Sequence, residues 1–363
     1  MVPDTTRQPD LVVRLTSRVP AGCLAGGFNT GGVVPASVNE TQRAVLDAVE
    51  GGPVPGPAIA EDLGVSRTAV WKAVETLRDA GFGVDSGRDG YVLTDVPEYG
   101  AGAVAYRFGR GYTVEYHESI PSTNARARDL ARRDQFGGED ASGVVVLAER
   151  QTGGRGRLDR DWVSPAGGVW MSVLSRPDLP PARAPILTLA AAVATARAVD
   201  EVAATPGSET TIGLKWPNDV LAVDGTGEER KLAGILTEMA GETDAVSWVV
   251  AGIGVNANVD ATTLPEGATS LRELHGDVDR GRLVATLLRE FDALRSSPDA
   301  ILAAWRERSL TLGRRVRVET GEGTVVGEAV GVEPPGTLLL DTGGEIARIH
   351  AGDCDHLRRE ERP

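Results

Sequence analysis

Lysine is almost missing from this chain. Of 38 basic residues only three, Lys72, Lys215 and Lys231, are lysine, and arginine supplies the rest. Cysteine is equally scarce. Cys23 and Cys354 lie near opposite ends, which excludes a disulfide framework and makes a reducing cytoplasm the default compartment. No uninterrupted apolar run approaches the ~20 residues that cross a bilayer, and the first residues have neither the basic start nor the apolar stretch of a signal peptide. A membrane partner is therefore not expected. Positive charge is in deficit too, with 52 acids against 38 bases and a formal net charge of −14. Such a carboxylate-rich surface, as in halophiles, speaks to solubility and solvent rather than to fold.

What remains is ample for a folded protein. A chain of 363 residues, 41% hydrophobic and 25% charged, exceeds one ordinary core and predicts two or three domains. Two of the three lysines fall in one region, Lys215-Trp216-Pro217-Asn218-Asp219 followed by Arg230-Lys231-Leu232-Ala233-Gly234-Ile235-Leu236. A chain that writes arginine elsewhere keeps lysine where a compact, strongly hydrated ammonium is wanted rather than a planar fork. Ile212 to Trp216, Val220 to Val223 and Arg230 to Glu238 read as strands, so a shared hairpin is expected to bring the lysines together. Asp219 at its end is a candidate magnesium ligand. Singly, either lysine is a surface salt-bridge partner; paired, they point to an anion.

Residues 1–38 mix Gly, Pro, Thr and Val without period and are expected to be a disordered extension. From Asn39 the texture changes. Val45, Leu46 and Val49 share a helical face, Ala58 to Leu63 is a second helix, and Ser66 caps a third whose apolar face is Val70, Val74 and Leu77. Phe82 to Asp85 and Tyr91 to Thr94 then flank a Gly-rich turn as a hairpin. Three helices and a hairpin over 39–96 make a winged helix-turn-helix, with Ser66 to Ala80 as recognition helix. Ser66, Arg67, Thr68, Trp71, Lys72 and Arg88 are the candidate DNA contacts. Between Glu40 and Asp95, however, ten acids face five bases, a poor balance for neutralising phosphates. A unit used for packing or dimerisation is the alternative.

Gly100 to Gly111 reads as a glycine-spaced connector. Pro121-Ser122-Thr123-Asn124 opens a helix running towards Gln135, where Ser122 or Thr123 caps the helix or offers polar groups to a ligand at its positive end. The apolar Gly143 to Ala148 is a buried strand. It delivers Glu149-Arg150-Gln151-Thr152 and then Gly153-Gly154-Arg155-Gly156-Arg157-Leu158-Asp159-Arg160-Asp161-Trp162 onto a loop. Three arginines within six residues there can hold an anion, although such a loop is as readily a solvated surface segment. The spacing is not that of the common phosphate loop, and Gly252-Ile253-Gly254-Val255-Asn256 lacks the dinucleotide fingerprint. Residues 186–204, 279–296 and 298–309 read as packing helices. From Gly313 short β segments between Gly and Pro turns fit a small SH3-like barrel. His350, Cys354 and His356 lack the fourth ligand of a structural metal site.

Together these segments resemble the biotin protein ligases, specifically the type that is also the biotin operon repressor, over about residues 40–358. The likeness rests on PSTN at Pro121 to Asn124, QTGGRGR at Gln151 to Arg157, and W-x-SP at Trp162 to Pro165. KWPNDVL at Lys215 to Leu221, RKLAGIL at Arg230 to Leu236 and GIGVN at Gly252 to Asn256 complete it. Each is weak or moderate alone; their order and spacing are specific. The resemblance implies an α+β protein with the winged helix-turn-helix at 39–96, a central mixed-sheet, class II synthetase-like ligase domain at 97–311, and an SH3-like barrel at 312–363.

The resemblance also implies a chemistry. The carboxylate of biotin attacks the α-phosphorus of ATP, with Mg2+ present, and a lysine of a biotin carboxyl carrier domain then attacks the resulting biotinyl-adenylate. Lys215, Lys231, Arg155 and Arg157 are the implied catalytic set. Ser122, Thr123, Asn124, Gln151, Gly154, Arg155, Lys215 and Gly234 are implied for biotin, and Arg157, Trp162, Asn218, Lys231 and Asn256 for the nucleotide. Asp219 is the implied magnesium ligand. Operator DNA and a homodimer complete the expectation, with a ligase whose winged helix does not bind DNA as the alternative. One departure is evident: Leu158-Asp159 stands where Arg-Gly is frequent, which places an acid in the anion loop. On this reading Lys215→Arg cripples adenylation.

Overall fold

The computed structural model describes residues 11–14, 38–109, 111–132, 143–204, 207, 209–242 and 244–357. Most of the expected disordered extension lies outside these residues. Its described part, Leu11–Arg14, is a strand, β1.

The next unit forms as its local chemistry dictates. Helix α1 (Glu40–Val49) starts on a capping box, in which Asn39 Oδ1 accepts from the Gln42 N–H at 2.9 Å and Gln42 Oε1 from the Asn39 N–H at 2.8 Å. Helix α2 (Gly56–Asp62) follows. Helix α3 (Arg67–Asp79) starts from Ser66, whose Oγ accepts from the Ala69 N–H at 3.1 Å. Strands β2 (Gly83–Gly87) and β3 (Gly90–Asp95) pair as the hairpin, with Arg88 and Asp89 at its tip. Val45, Leu46, Val49, Val70, Val74 and Leu77 close one small core. The helix-turn-helix expectation holds here in detail.

The expected connector at 100–111 is instead largely a helix, α4 (Ala101–Phe108). Gly100 (φ 119°) and Gly109 (φ 92°) bound it, while Ala101, Ala103 and Val104 between them are buried. The glycines mark the ends of an element rather than its absence.

The central layer is a mixed sheet. It contains β4 (Tyr112–His117), β5 (Gly143–Ala148), β6 (Val169–Ser175), β7 (Thr211–Lys215), β8 (Asp219–Val223), β9 (Glu229–Gly241) and β10 (Val246–Val255) in the order β4-β5-β6-β10-β9-β8-β7. Only β4 and β5 run parallel; β1 lies antiparallel against Glu238–Gly241 of β9, beyond the end of β8. Helix α5 (Thr123–Arg132) covers one face, with Ala127, Leu130 and Ala131 on Val144, Val146, Leu174, Trp248 and Val250. Helix α6 (Ile186–Val202) covers the other, followed by α7 (Leu271–His275), α8 (Arg280–Arg295) and α9 (Pro298–Glu307). Among the described residues one helical span, Pro181–Val202, is long and apolar enough to cross a membrane. Its alanines are packed inside the core, where small side chains let α8 approach.

The C-terminal strands, β11 (Arg315–Thr320), β12 (Gly323–Glu333), β13 (Thr337–Asp341), β14 (Ile346–Ile349) and β15 (Asp353–His356), form one antiparallel sheet ordered β14-β13-β12-β11-β15. An antiparallel sheet is thus seen where an SH3-like barrel is expected. Among the described residues no ladder joins the edge strands β14 and β15, each of which pairs on one side only, with β13 and β11. The sheet shares the central core through Val316, Val318, Ala329 and Leu338. Trp216 locks the two together, its backbone N–H donating to Thr311 Oγ1 at 3.0 Å and its Nε1–H to Gly336 O at 2.9 Å.

Candidate active site

Period-two alternation builds the floor of the site. On β10, Trp248 and Val250 face α5; further along that face stand Gly252, under the first turn of the helix, and Gly254. Gly254 is the register partner of Gly234 on β9. A Cβ at Gly254 would come within 2.7 Å of Trp162 Nε1, and one at Gly234 within 3.0 Å of the same indole. Trp162 therefore rests on a glycine pair that only backbone can supply. Likewise a Cβ at Gly252 would meet Asn124 Oδ1 at 2.1 Å.

A polar network surrounds this floor at the start of α5. Thr123 N–H and Oγ1–H point to Gln151 Oε1 at 2.8 and 3.1 Å, and Gln151 Nε2–H donates to Ser164 Oγ at 3.0 Å. Ser172 Oγ lies 2.8 Å from Thr123 Oγ1 and 2.6 Å from Asn124 Oδ1. Asn124 Nδ2 in turn donates to Leu236 O at 3.2 Å and to Glu238 Oε2 at 3.0 Å. Ser122 Oγ accepts from the Ala125 N–H at 3.3 Å, so the capping role is real. Buried groups satisfied in this way fix one arrangement. Glu115 on β4 anchors α5 from behind, accepting from Arg126 Nε and Nη2 at 2.6 and 3.0 Å and contacting His117 Nε2 at 2.5 Å. Burial works to raise the pKa of Glu115, but hydrogen bonds from His117 and Arg126 prevail and hold it at about 2.

The roof is the arginine loop. Arg157–Asp159 makes a single 3-10 turn in which Leu158 (φ 54°) and Asp159 (φ 57°) adopt left-handed backbone, a region that favours glycine. Arg157 is half-buried and turned inward: Nη1 donates to Asn218 Oδ1 at 2.9 Å and Nη2 to Gly352 O at 2.6 Å. Burial pushes its pKa down. Arg155 is exposed, 3.2 Å from Asp161, and Arg160 pairs with Asp353. Lys231 Nζ lies 2.7 Å from Asp219 Oδ1 and 5.1 Å from the centroid of the Trp162 ring.

Floor and roof enclose a cavity of about 330 Å³. Ser122, Thr123, Asn124, Gln151, Arg155, Arg157, Trp162, Asn218, Asp219, Lys231, Gly234 and Asn256 all line it. Two expected residues stand outside that lining. Gly154 turns its backbone to Trp162, whose N–H donates to Gly154 O at 3.0 Å. Lys215 sends its ammonium to Asp355, 3.7 Å away. The expected shared hairpin is two hairpins, since β8 separates the strands that carry the lysines.

Several lining or supporting groups went unread in the sequence. Ser172 had a signal, as the one hydroxyl in the middle of the apolar run Val169 to Leu174. Glu238 and Asp353 had none, because their partners are far away in the chain. In the helix-turn-helix unit, Ser66, Arg67, Thr68, Trp71, Lys72 and Arg88 are all exposed, and Arg67 and Arg88 share a groove between α3 and the hairpin.

A polar pocket at one helix end, with cations over a glycine floor, suits a ligand that carries both neutral polar and anionic groups, and the family comparisons give its class as a protein ligase. Residues 116–256 match the Biotin/lipoate A/B protein ligase family, 311–357 the Biotin protein ligase C terminal domain and 42–92 an HTH domain. The chain is 38% identical over 319 residues to the bifunctional ligase/repressor BirA of Bacillus subtilis, covering 83% of this chain and 93% of that one. It is 43% identical over 258 residues to the biotin–acetyl-CoA-carboxylase ligase of Mycobacterium tuberculosis, covering 69% and 92%. The biotin protein ligase of Aquifex aeolicus, solved with biotin and ATP, superposes with a TM-score of 0.52 at 28% identity, covering 68% of this chain and 98% of that one. The chain belongs to the biotin protein ligase family, in its bifunctional ligase/repressor form.

Proposed function

We propose that the cavity joins biotin to AMP and passes it to a lysine of a biotin carboxyl carrier domain. The observation that carries this reading is one cavity lined by two chemistries. Thr123, Asn124 and Gln151 offer neutral donors and acceptors suited to a ureido ring, and Trp162 on its glycine pair offers an apolar surface. Lys231 supplies positive charge where a carboxylate meets an α-phosphate, and Arg155 and Arg157 add charge over the product. No protein nucleophile is needed, because the mixed anhydride is itself the activated acyl group.

Nucleotide contacts fall to Arg157, Trp162, Asn218, Lys231 and Asn256. Magnesium would arrive with the triphosphate, and Asp219, a carboxylate lining the cavity, would be offered to it. It would neutralise phosphate charge there. The arginine loop covers the intermediate against water. Arg67, Lys72 and Arg88 reach DNA phosphates, with Ser66, Thr68 and Trp71 beside them, and a homodimer presents two such units to an operator. The working divisions are 39–96, 97–311 and 312–363, acting in a cytoplasmic setting.

One assay decides the enzymatic reading. Incubated with ATP, magnesium, biotin and a carrier domain, the protein is expected to release pyrophosphate and leave biotin on the carrier; neither event occurring would sink it. Footprinting of the DNA upstream of its gene, with and without biotin at stated salt, decides the regulatory half.

A further inference from the structure

One guanidinium ties the neck of the arginine loop to the linker of the winged-helix unit. Arg280, the first residue of α8, is 11% exposed at its side chain. Its Nη1 donates to both carboxylate oxygens of Glu149 at 3.1 Å and to Gly168 O at 3.3 Å. Glu149 directly follows β5 and Gly168 directly precedes β6, so these contacts close the neck of the loop over 150–167. The Gly167 N–H donates to Glu149 Oε1 at 2.9 Å on the same neck.

The other edge of the guanidinium faces the linker. Nη2 donates to Glu98 Oε2 at 2.8 Å and Nε to Glu98 Oε1 at 3.0 Å, while the Arg280 backbone N–H adds a bond to Oε1 at 2.8 Å. The same cation lies 4.2 Å from the ring centroid of Tyr99, whose hydroxyl donates to Ala148 O at 3.4 Å. Glu98 and Tyr99 belong to residues 96–100, which join β3 of the hairpin to α4. The Gly281 N–H donates to Glu98 O at 2.8 Å, and Arg107 bridges Asp279 (2.7 Å) to Pro97 O (3.0 Å). These bonds tie the linker to the start of α8, and the start of α8 to the loop neck.

We propose that Arg280 is the relay between the arginine loop and the winged-helix unit. A loop closing on an adenylate moves its neck at Glu149 and Gly168, and Arg280 passes that shift through Glu98 to the linker and so to the pose of α3 and the hairpin. The relay is reciprocal: DNA held by the winged helix biases the loop to the same extent. The inference rests on the reading of the loop as the cover of the ligand.

Hydrogen exchange on the full chain tests it, with biotin, ATP and magnesium as the probe. In the wild type, peptides over 150–167 and over 96–106 both gain protection when the three are added. Glu98→Gln, on the exposed side of the relay, keeps the loop response and a near-normal biotinylation rate, while the linker response falls by about fivefold or more. Arg280→Lys, which keeps the charge and loses the fork, uncouples the linker in the same way. A linker response that survives in both variants, or that is missing from the wild type while the loop responds, overturns the relay alone. A loop that does not respond at all overturns the covering role and the relay with it.

Discussion

Floor and roof of the cavity are built on opposite plans. The floor is backbone and short side chains on β6, β9, β10 and α5, buried and mutually hydrogen-bonded before any ligand arrives. The roof hangs on long charged side chains, holds Leu158 and Asp159 in left-handed backbone, and borrows its anchors at Gly352 and Asp353 from the C-terminal sheet. The difference teaches where binding and catalysis are separable. On the proposed reading, the preorganised floor sets which acid is bound and the contingent roof sets what happens to its activated form.

The sharpest test of that division is Lys231→Ala. Pyrophosphate release is expected to fall by ~10²–10³-fold, the scale of losing one preorganised charge at a reacting centre, while biotin binding followed by tryptophan fluorescence falls far less. Equal losses in both would erase the distinction. Gly254→Ala attacks the floor instead, by forcing a methyl into the space of Trp162. Overpacking of about 1–3 kcal/mol corresponds to biotin affinity roughly fivefold to 150-fold weaker, with kcat at saturating biotin changed little; a kcat defect without an affinity defect would assign the glycine to the wrong half.

Arg157→Gly is expected to keep adenylate synthesis and to let the intermediate escape, read as biotin appearing on bystander lysines. Continued tight adenylate retention would show that the roof does not depend on the bonds to Asn218 and Gly352. A milder effect is expected of Lys215→Arg. Its ammonium faces Asp355 rather than the cavity, so the loss in adenylation stays below about tenfold, as for a partly exposed ion pair. The severe loss that the sequence motif led one to expect would return Lys215 to the catalytic set.

The smallest effect is a pH signature of the floor. The pKa of Glu115 stands at about 2 in the fold against an ordinary 4.5, so its contribution to stability is complete above pH 4.5 and drains away as pH falls towards 2. The difference in Tm between wild type and Glu115→Gln is expected to shrink across that window. A constant difference would mean that the anchor acts through shape rather than charge.

Much of this architecture was legible in the chain, and the reasons are local. Ser66 and the face of Val70, Val74 and Leu77 announce α3, because caps and period are written within a few residues of each other. The arginine loop, the turn after Lys215 and the glycines at 252 and 254 could be read as one site only through their resemblance to a family. Helix α4 was hidden because its bounding glycines look like a loop. Lys215 and Lys231 were joined too closely because a strand between them is invisible to composition. The ties of Arg157 to Gly352 and of Arg280 to Glu98 span well over a hundred positions, and no pattern in the sequence speaks to contacts at that distance.

The anchoring of the roof also has a bearing on how the protein is made. Gly352 and Asp353 are made well after β10, the last strand of the central sheet, so Arg157 and Arg160 lack these two anchors until the C-terminal sheet has been made. The floor is complete much earlier in the chain. A nascent polypeptide thus acquires the floor of the cavity before it acquires the anchors of the roof, and the C-terminal sheet is the part that completes the site.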